Sequence, residues 1–338
     1  MRRSSLLLPT AAVGGIALLL VLFLLAGGYD VGRALGALWD GAFGSRHALF
    51  SGTLVRSVPL VLAGLAVALA FRAGVLNIGA EGQLLAGAGA AAAVGIVAGT
   101  ALGPLAMPAV LAAGALLGAA WAGVAALLRA RFRVPEVIST IMLNFVALYL
   151  VGWLVRGPLQ EPSGVYPQSL PLPQVARLPV IVPGTRLHLG FALALVAAGA
   201  VWYALRHTAA GFRVRVSGAN ADAARSAGLI DVTRTTAAAF LVSGALAGLA
   251  GASEVAGVTY ALYENLSPGY GYTAIAVALL ARLDARLVVP SGILFGALEA
   301  GAAAMQRDAG VPAAVVRVVE AMVILMVLAG RRRVTSDE

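Results

Sequence analysis

The side chains here with the most to offer chemically are polar groups set inside apolar runs. Arg72-Ala-Gly-Val-Leu-Asn77-Ile-Gly79-Ala-Glu81-Gly82-Gln83 brings two amides and a carboxylate close together, with Gly74, Gly79 and Gly82 interspersed. Amides and a carboxylate can hydrogen-bond a polar solute or relay a proton, but with no nucleophile beside them they make no hydrolytic centre. Glycine weakens a helix, and backbone that leaves helical geometry inside a bilayer must be buried in protein or line a wet cavity. The segment reads as a broken helix with Asn77, Glu81 and Gln83 along a translocation path. It also reads as a turn between two helices, with Glu81 in water. Asn144 and Glu254 interrupt other apolar runs and join the pathway candidates; Asn144 reads equally as an interhelical hydrogen bond. Glu299 and Gln306 are further polar residues of this kind. Glu136 follows Pro135, where a carboxylate suits a helix N-terminus. Arg317 and Glu320 lie three apart on one expected helix and are read as a structural ion pair.

Missing residue types narrow the chemistry further. All 24 basic residues are Arg, so there is no Lys for a P-loop or a Schiff base. With no Cys there is no disulfide, thiolate nucleophile or thiolate-bound metal. His47, His188 and His207 have no metal-ligand spacing. No catalytic residue, metal or bound cofactor is expected of this chain.

The elements that must position these groups follow from hydropathy. Of 338 residues 60% are apolar and 12% charged, where a soluble domain carries about 25% charged residues. The chain is expected to be an all-α, polytopic membrane helix bundle. Apolar segments fall at Leu6–Ala26, Val58–Phe71, Ile78–Thr100, Leu105–Leu128, Val137–Val155, Leu189–Leu205, Ala237–Val258, Thr273–Ala281, Leu287–Met305 and Ala313–Ala329. That makes about ten transmembrane segments, some broken or re-entrant; Thr273–Ala281 is too short to cross alone. The first run exceeds the usual apolar stretch of a signal peptide and reads as a retained helix. With both termini inside, sixteen of the 24 Arg fall on the cytoplasmic side, as the positive-inside rule requires. The net charge of +9 then reflects orientation, and no nucleic acid is expected.

One transmembrane domain is expected over 1–338, with a first helix in 1–30 and an amphipathic outer interfacial segment at 31–50. An external loop at 156–187 holds seven of the fifteen Pro and is expected to be extended. The stretch Tyr260–Tyr272 carries four Tyr and reads as an interfacial aromatic belt or as the approach to a re-entrant segment. Gly95/Gly99, Gly114/Gly118, Gly244/Gly248 and Gly292/Gly296 are small-residue pairs that let helices approach closely.

The loop 206–235 is the larger polar insert on the inner side. Within it Asn220 suits an N-cap, Asp222 a first turn, Arg225 a later turn and Gly228 a C-terminal stop. Such a helix of about two turns is marginal alone in water and must dock on something, either a partner or this protein's own surface. The small residues Ala221, Ala223, Ala224 and Ala227 make it slim.

Three stretches carry a resemblance: Gly74-Val-Leu-Asn-Ile-Gly79-Ala-Glu-Gly-Gln83, Val134-Pro-Glu-Val-Ile-Ser-Thr-Ile-Met-Leu-Asn144, and Gly211 to Gly228. With them the sequence resembles permease subunits of ABC importers for nucleosides and simple sugars, in the branched-chain amino acid permease superfamily. The resemblance implies a coupling helix within 219–228, including Gly218, Asn220, Ala224, Arg225 and Gly228, inserted into a separate ATPase that uses ATP and Mg. It also implies a second permease, identical or homologous, an extracytoplasmic substrate-binding protein, and a place in the bacterial cytoplasmic membrane. The long prolyl loop resembles that of the larger of two paired permeases. Expected function is therefore the membrane path of an ATP-driven nucleoside or sugar importer. The alternatives are a branched-chain amino acid permease of the same superfamily and a secondary transporter using Glu81, Glu254 or Glu299 as proton carriers. A lipid-modifying enzyme would need a His or Asp cluster that is not there.

Overall fold

The computed structural model describes residues 20–226, 228 and 230–312, with positions 15, 18, 314, 318 and 321. Arg317, Glu320 and most of the segments expected at Leu6–Ala26 and Ala313–Ala329 lie outside the described residues. Among the described residues the regular structure is helical, with three isolated bridges and no strand.

In chain order the helices are α1 (Val31–Ala42), α2 (Leu54–Arg72), α3 (Ala80–Leu102), α4 (Ala106–Phe132), α5 (Glu136–Arg156), α6 (Gly190–His207), α7 (Ala209–Ala219), α8 (Ala221–Ser226), α9 (Val232–Glu254), α10 (Tyr270–Leu280) and α11 (Ala285–Ala309). π-helical turns precede α2 at Ala48–Thr53 and follow α9 at Val255–Thr259. Six stretches are long and apolar enough to cross a membrane: Ala48–Arg72, Ala80–Phe132, Glu136–Arg156, Gly190–His207, Val232–Thr259 and Ala285–Ala309. The second of these is two helices, α3 and α4, parted where Gly103 takes a positive φ of 51°.

Local chemistry sets the helix ends. α4 stops where Arg133 turns left-handed and returns its N–H to the carbonyls of Arg129 and Leu128. Pro135 precedes α5, with Glu136 in its first turn. Asp30 and Asp231 cap α1 and α9 by accepting the N–H groups of Arg33 and Arg234, which satisfies donors that a helix start leaves open.

The chain forms two compact units. One comprises the described residues within Met1–Ser57 and Ile293–Glu338. Its core joins Leu20 and Leu24, Ala34 and Ala37 of α1, Ala302 and Met305 of α11, and Val311. α1 has two faces: Ala34, Ala37 and Ala42 are buried and Trp39 is exposed.

The other unit is Val58–Gly292. Its centre is a triad of α3, α4 and α9. The pairs Gly114/Gly118 and Gly244/Gly248 face each other there; a Cβ on Gly118 would overlap the Gly244 carbonyl, and one on Gly248 the Gly114 carbonyl. Gly95 and Gly99 pack mainly on the prolyl loop, with Val110 of α4 also beside Gly95. The loop residues against them are Leu172 and Pro173. Val58–Ala70 of α2 is buried throughout, whereas α5 and α6 turn Met142, Phe145, Tyr149, Trp153, Val196 and Tyr203 outward, a surface suited to lipid or to another chain.

Candidate functional site

α2 ends at Arg72 and α3 starts at Ala80, leaving residues 73–79 outside helical geometry. Gly74 allows the turn with φ +77°. Side chains then take up backbone groups that the missing helix would have satisfied. Asn77 donates from Nδ2 to Ser243 Oγ at 2.8 Å and to Gln83 Oε1 at 2.9 Å. Its Oδ1 accepts from the Gly79 N–H at 2.9 Å and from Gln83 Nε2 at 3.0 Å. Ser243 in turn donates to the Ala66 carbonyl at 2.7 Å. Asn144 reaches in from α5, donating to the Ile78 carbonyl at 3.0 Å and accepting the Gly82 N–H at 2.8 Å. Glu81, at the positive end of α3 where a carboxylate is favoured, accepts the Gly271 N–H of α10 at 2.6 Å.

The structure therefore gathers Asn77, Gln83 and Asn144 into a polar knot around the break, with Glu81 next to it bonded to the start of α10. All four are buried, Glu81 included at 6% exposure, so the reading that left Glu81 in water does not hold. Ala66 lies six residues, or about 9 Å, back along α2 from Arg72, so the break folds back into the bundle before α3 begins. Glu254 is buried elsewhere: it ends α9, eleven residues or about 16 Å beyond Ser243. Asn144 extends the knot to the surface, donating to the hydroxyl of half-exposed Tyr272 at 3.3 Å.

At the Arg72 end sits the capped helix α8. Asn220 Oδ1 accepts the N–H groups of Asp222 and Ala223 at 3.1 and 2.9 Å. Arg225 pairs with Asp222 at 2.7 Å, and Gly228, at φ +69°, returns its N–H to the Arg225 carbonyl. Gly218, ending α7, lies flat on the backbone of Arg72 and Gly74, where any Cβ would overlap the Arg72 carbonyl. Arg72 Nε also donates to the Leu283 carbonyl at 3.1 Å, in the turn after α10. One structural detail departs from expectation: Ala224 is 2% exposed and packs inward, while Ala223 faces out.

At the far end of α3 the prolyl loop is a strap. The N–H groups of Ser169, Leu172 and Leu178 donate to the carbonyls of Leu262, Tyr260 and Ala256 at 2.9, 2.7 and 2.9 Å, and the Arg177 guanidinium lies over the Tyr260 ring at 4.6 Å. Because one end of segment 256–283 bonds this strap and the other bonds Arg72, that segment runs the length of the bundle. Its first part is irregular and its second is α10. Beneath the strap His188 is fully buried against Gly190 and Gly257. Burial, and then the charge of Arg186, pull its pKa down to about 4. Arg156, where the loop begins, and Glu264 form an ion pair at 2.6 Å, bordering a recess of about 430 Å³ lined by Tyr149, Gly152, Trp153 and Asn265.

Sequence reasoning missed Ser243, Gly271, Glu264 and His188 as contributors. Gly271 and Glu264 lie in the tyrosine-rich stretch it noted, but nothing local marks their partners.

A bundle with apolar spans, a buried polar break between two of them, and the end of α7 seated on that break suit a multi-pass membrane protein of transporter type. The chain belongs to the family described as branched-chain amino acid transport system / permease component, which matches residues 49–328. It is 39% identical over 332 residues to a glucose ABC transporter permease of Haloferax volcanii, covering 95% of this chain and 85% of that protein. It is equally 39% identical over 333 residues to a guanosine ABC transporter permease of Bacillus subtilis, covering 96% and 94%. A nucleoside ABC transporter permease of Lactococcus lactis is 30% identical over 332 residues, covering 95% and 90%.

Proposed function

We propose that this chain is the transmembrane subunit of an ATP-driven importer and forms, by alternating access, the pathway for nucleosides or related simple sugars. The observation that carries this is the seat of Gly218 on Arg72 and Gly74. Force applied to α8 by a partner ATPase reaches, within five residues, the break at Asn77. In this reading Gly218, Asn220, Arg225 and Gly228 shape the coupling element, and Ala224 anchors it to the permease. The knot of Asn77, Gln83 and Asn144, and Glu81 beside it, form the hinge of the pathway wall, with Glu254 near its outer mouth.

The chain acts as one domain over 1–338, with about ten transmembrane segments and both termini cytoplasmic, in a bacterial cytoplasmic membrane. α8, Arg72 and Arg129–Arg133 then lie inside, and the strap outside. Partners are an ATPase that uses ATP and Mg, a second permease, identical or homologous, and an extracytoplasmic binding protein. The relatives named for glucose and for guanosine are equally similar to this chain, and those two solutes share a hydroxylated sugar ring. The recess at Trp153 suits such a ring, with aromatic faces for its C–H groups and Glu264, Arg156 and Asn265 for its hydroxyls.

Reconstitution with a partner ATPase, a second permease and a binding protein tests the proposal. ATP-dependent uptake of guanosine or glucose, and not leucine, is expected. Leucine uptake would favour the branched-chain amino acid reading that the family's description carries. Uptake by the isolated chain on a pH gradient without ATP would overturn the proposal.

A further inference from the structure

At the end of the bundle that carries α8, a second recess of about 560 Å³ opens between the turn after α2, the last turns of α4, α7–α8 and the start of α9. Three arginines line it, Arg129, Arg133 and Arg225, and no carboxylate does among the described residues. Ser217 lines it too; it is 3% exposed and its Oγ has no hydrogen-bond partner among the described residues. Buried polar groups are nearly always paired, so an orphan hydroxyl on a residue that lines an arginine-rich recess points to a ligand. Val232 and Thr233, in the first turn of α9, also line it.

The nearby carboxylates are accounted for. Glu136 pairs with Arg129 at 3.2 Å, Asp222 with Arg225 at 2.7 Å, and Asp231 with Arg234 at 3.1 Å. Arg133, held left-handed at the end of α4, has no ion pair among the described residues. The recess thus keeps uncompensated positive charge together with a buried hydroxyl. A phosphate group answers both, with several acceptor oxygens for planar guanidinium forks and a hydroxyl donor.

We propose that this recess binds a phosphate group, as a monoester or diester, through Arg133, Arg129, Arg225 and Ser217. Because these residues belong to α4, α7 and α8, a bound phosphate bridges the coupling element to the bundle and stiffens it. The group comes from a lipid headgroup, since basic pockets at the cytoplasmic face take anionic lipids, or from a soluble phosphate compound.

Thermal unfolding of the purified full chain separates the two sources. In detergent, inorganic phosphate is compared with chloride at matched ionic strength. In nanodiscs, phosphatidylcholine is compared with a mixture containing phosphatidylglycerol. A stabilising shift with phosphate assigns a soluble ligand, and a shift with phosphatidylglycerol alone assigns a lipid. Either shift should need about tenfold more ligand in Arg133→Gln and clearly more in Ser217→Ala, with unliganded unfolding close to the parent's. If Arg133→Gln does not fold, Ser217→Ala, which removes one oxygen, carries the comparison. No stabilisation by either ligand, or equal responses in the parent and the variants, overturns the proposal.

Discussion

Asn77 and Gln83 face each other as a closed amide pair, each donating to the other's carbonyl oxygen, at 2.9 and 3.0 Å. That exchange joins the extended break to the first turn of α3. Through Ser243 the same amide ties both to α2 and α9. The knot allows a buried break between two membrane-length helices without leaving its polar groups stranded.

Asn77→Leu should strand the Gln83 amide and the Gly79 N–H, at about 1–3 kcal/mol for each buried unsatisfied group. Gln83→Leu should cost a similar amount. The double variant should cost less than the sum, because partners removed together leave fewer orphans. Thermal unfolding in detergent measures all three; strict additivity would show that the pair is not coupled.

The glycine crossing of α4 and α9 makes an opposite pair of expectations. Gly248→Val should prevent recovery of folded protein, since its Cβ meets the Gly114 backbone and backbone cannot yield as a side chain can. Gly199→Ala on α6 has open space around its Cβ and should be neutral, or stabilising by up to about 1 kcal/mol from helix propensity. Fluorescence-detected size exclusion followed by thermal unfolding distinguishes them.

Gly218→Ala should lift α7 off the Arg72 carbonyl. In the reconstituted importer, uptake is expected to fall at least about tenfold while the ATPase still co-purifies. Ala223→Trp, on the outward face of α8, should instead prevent co-purification although the permease inserts normally. Ala224→Trp would confuse the two effects because that side chain is buried. Since the chain has no native Cys, Ala223→Cys offers a single crosslinking site. Crosslinks confined to the permease itself, with ATPase present, would remove α8 from the coupling role.

Trp153 is 61% exposed, so Trp153→Ala should leave the unfolding temperature within about a degree of the parent's, as surface substitutions do. Removing its aromatic face should nevertheless weaken uptake several-fold, as should Glu264→Gln. Unchanged transport in both variants would exclude the outer recess from the path.

His188 predicts a pH dependence of stability. Its folded pKa is about 4 against an ordinary 6.5, so below pH 6.5 the unfolded chain binds a proton that the folded chain refuses. Stability from this residue is therefore complete above pH 6.5 and is lost as pH falls towards 4. The loss is about 2 kcal/mol by pH 5. His188→Asn, which can still accept the Gly190 N–H, should flatten that part of the profile. An unchanged slope between pH 6.5 and 4.5 would refute the assignment.

Taken alone, the sequence determines what depends on neighbours a few residues away. The cap at Asn220, the ion pair of Asp222 with Arg225 and the stop at Gly228 all lie within one short segment, so the spacing defines where that helix begins and ends, though not what it docks on. The break near Asn77 is legible for the same reason: glycines and amides between apolar runs cannot continue as lipid-facing helix. The helical character of the bundle follows from hydropathy, because a bilayer leaves backbone few alternatives.

Only the tertiary structure decides what those groups meet. Ser243 lies 166 residues from Asn77, Gly271 lies 190 from Glu81, and Glu264 lies 108 from Arg156. No local pattern chooses partners over such separations. Gly95 and Gly99 spell the same motif as Gly114 and Gly118, yet a proline-rich strap lies against both members of the first pair, whereas the second pair meets helix backbone. α2 and α5 are equally apolar by composition, but α2 is enclosed while α5 faces outward. A residue's type limits the partners it can accept; which partner arrives, and whether water or lipid is excluded there, depends on the packing of helices distant in sequence.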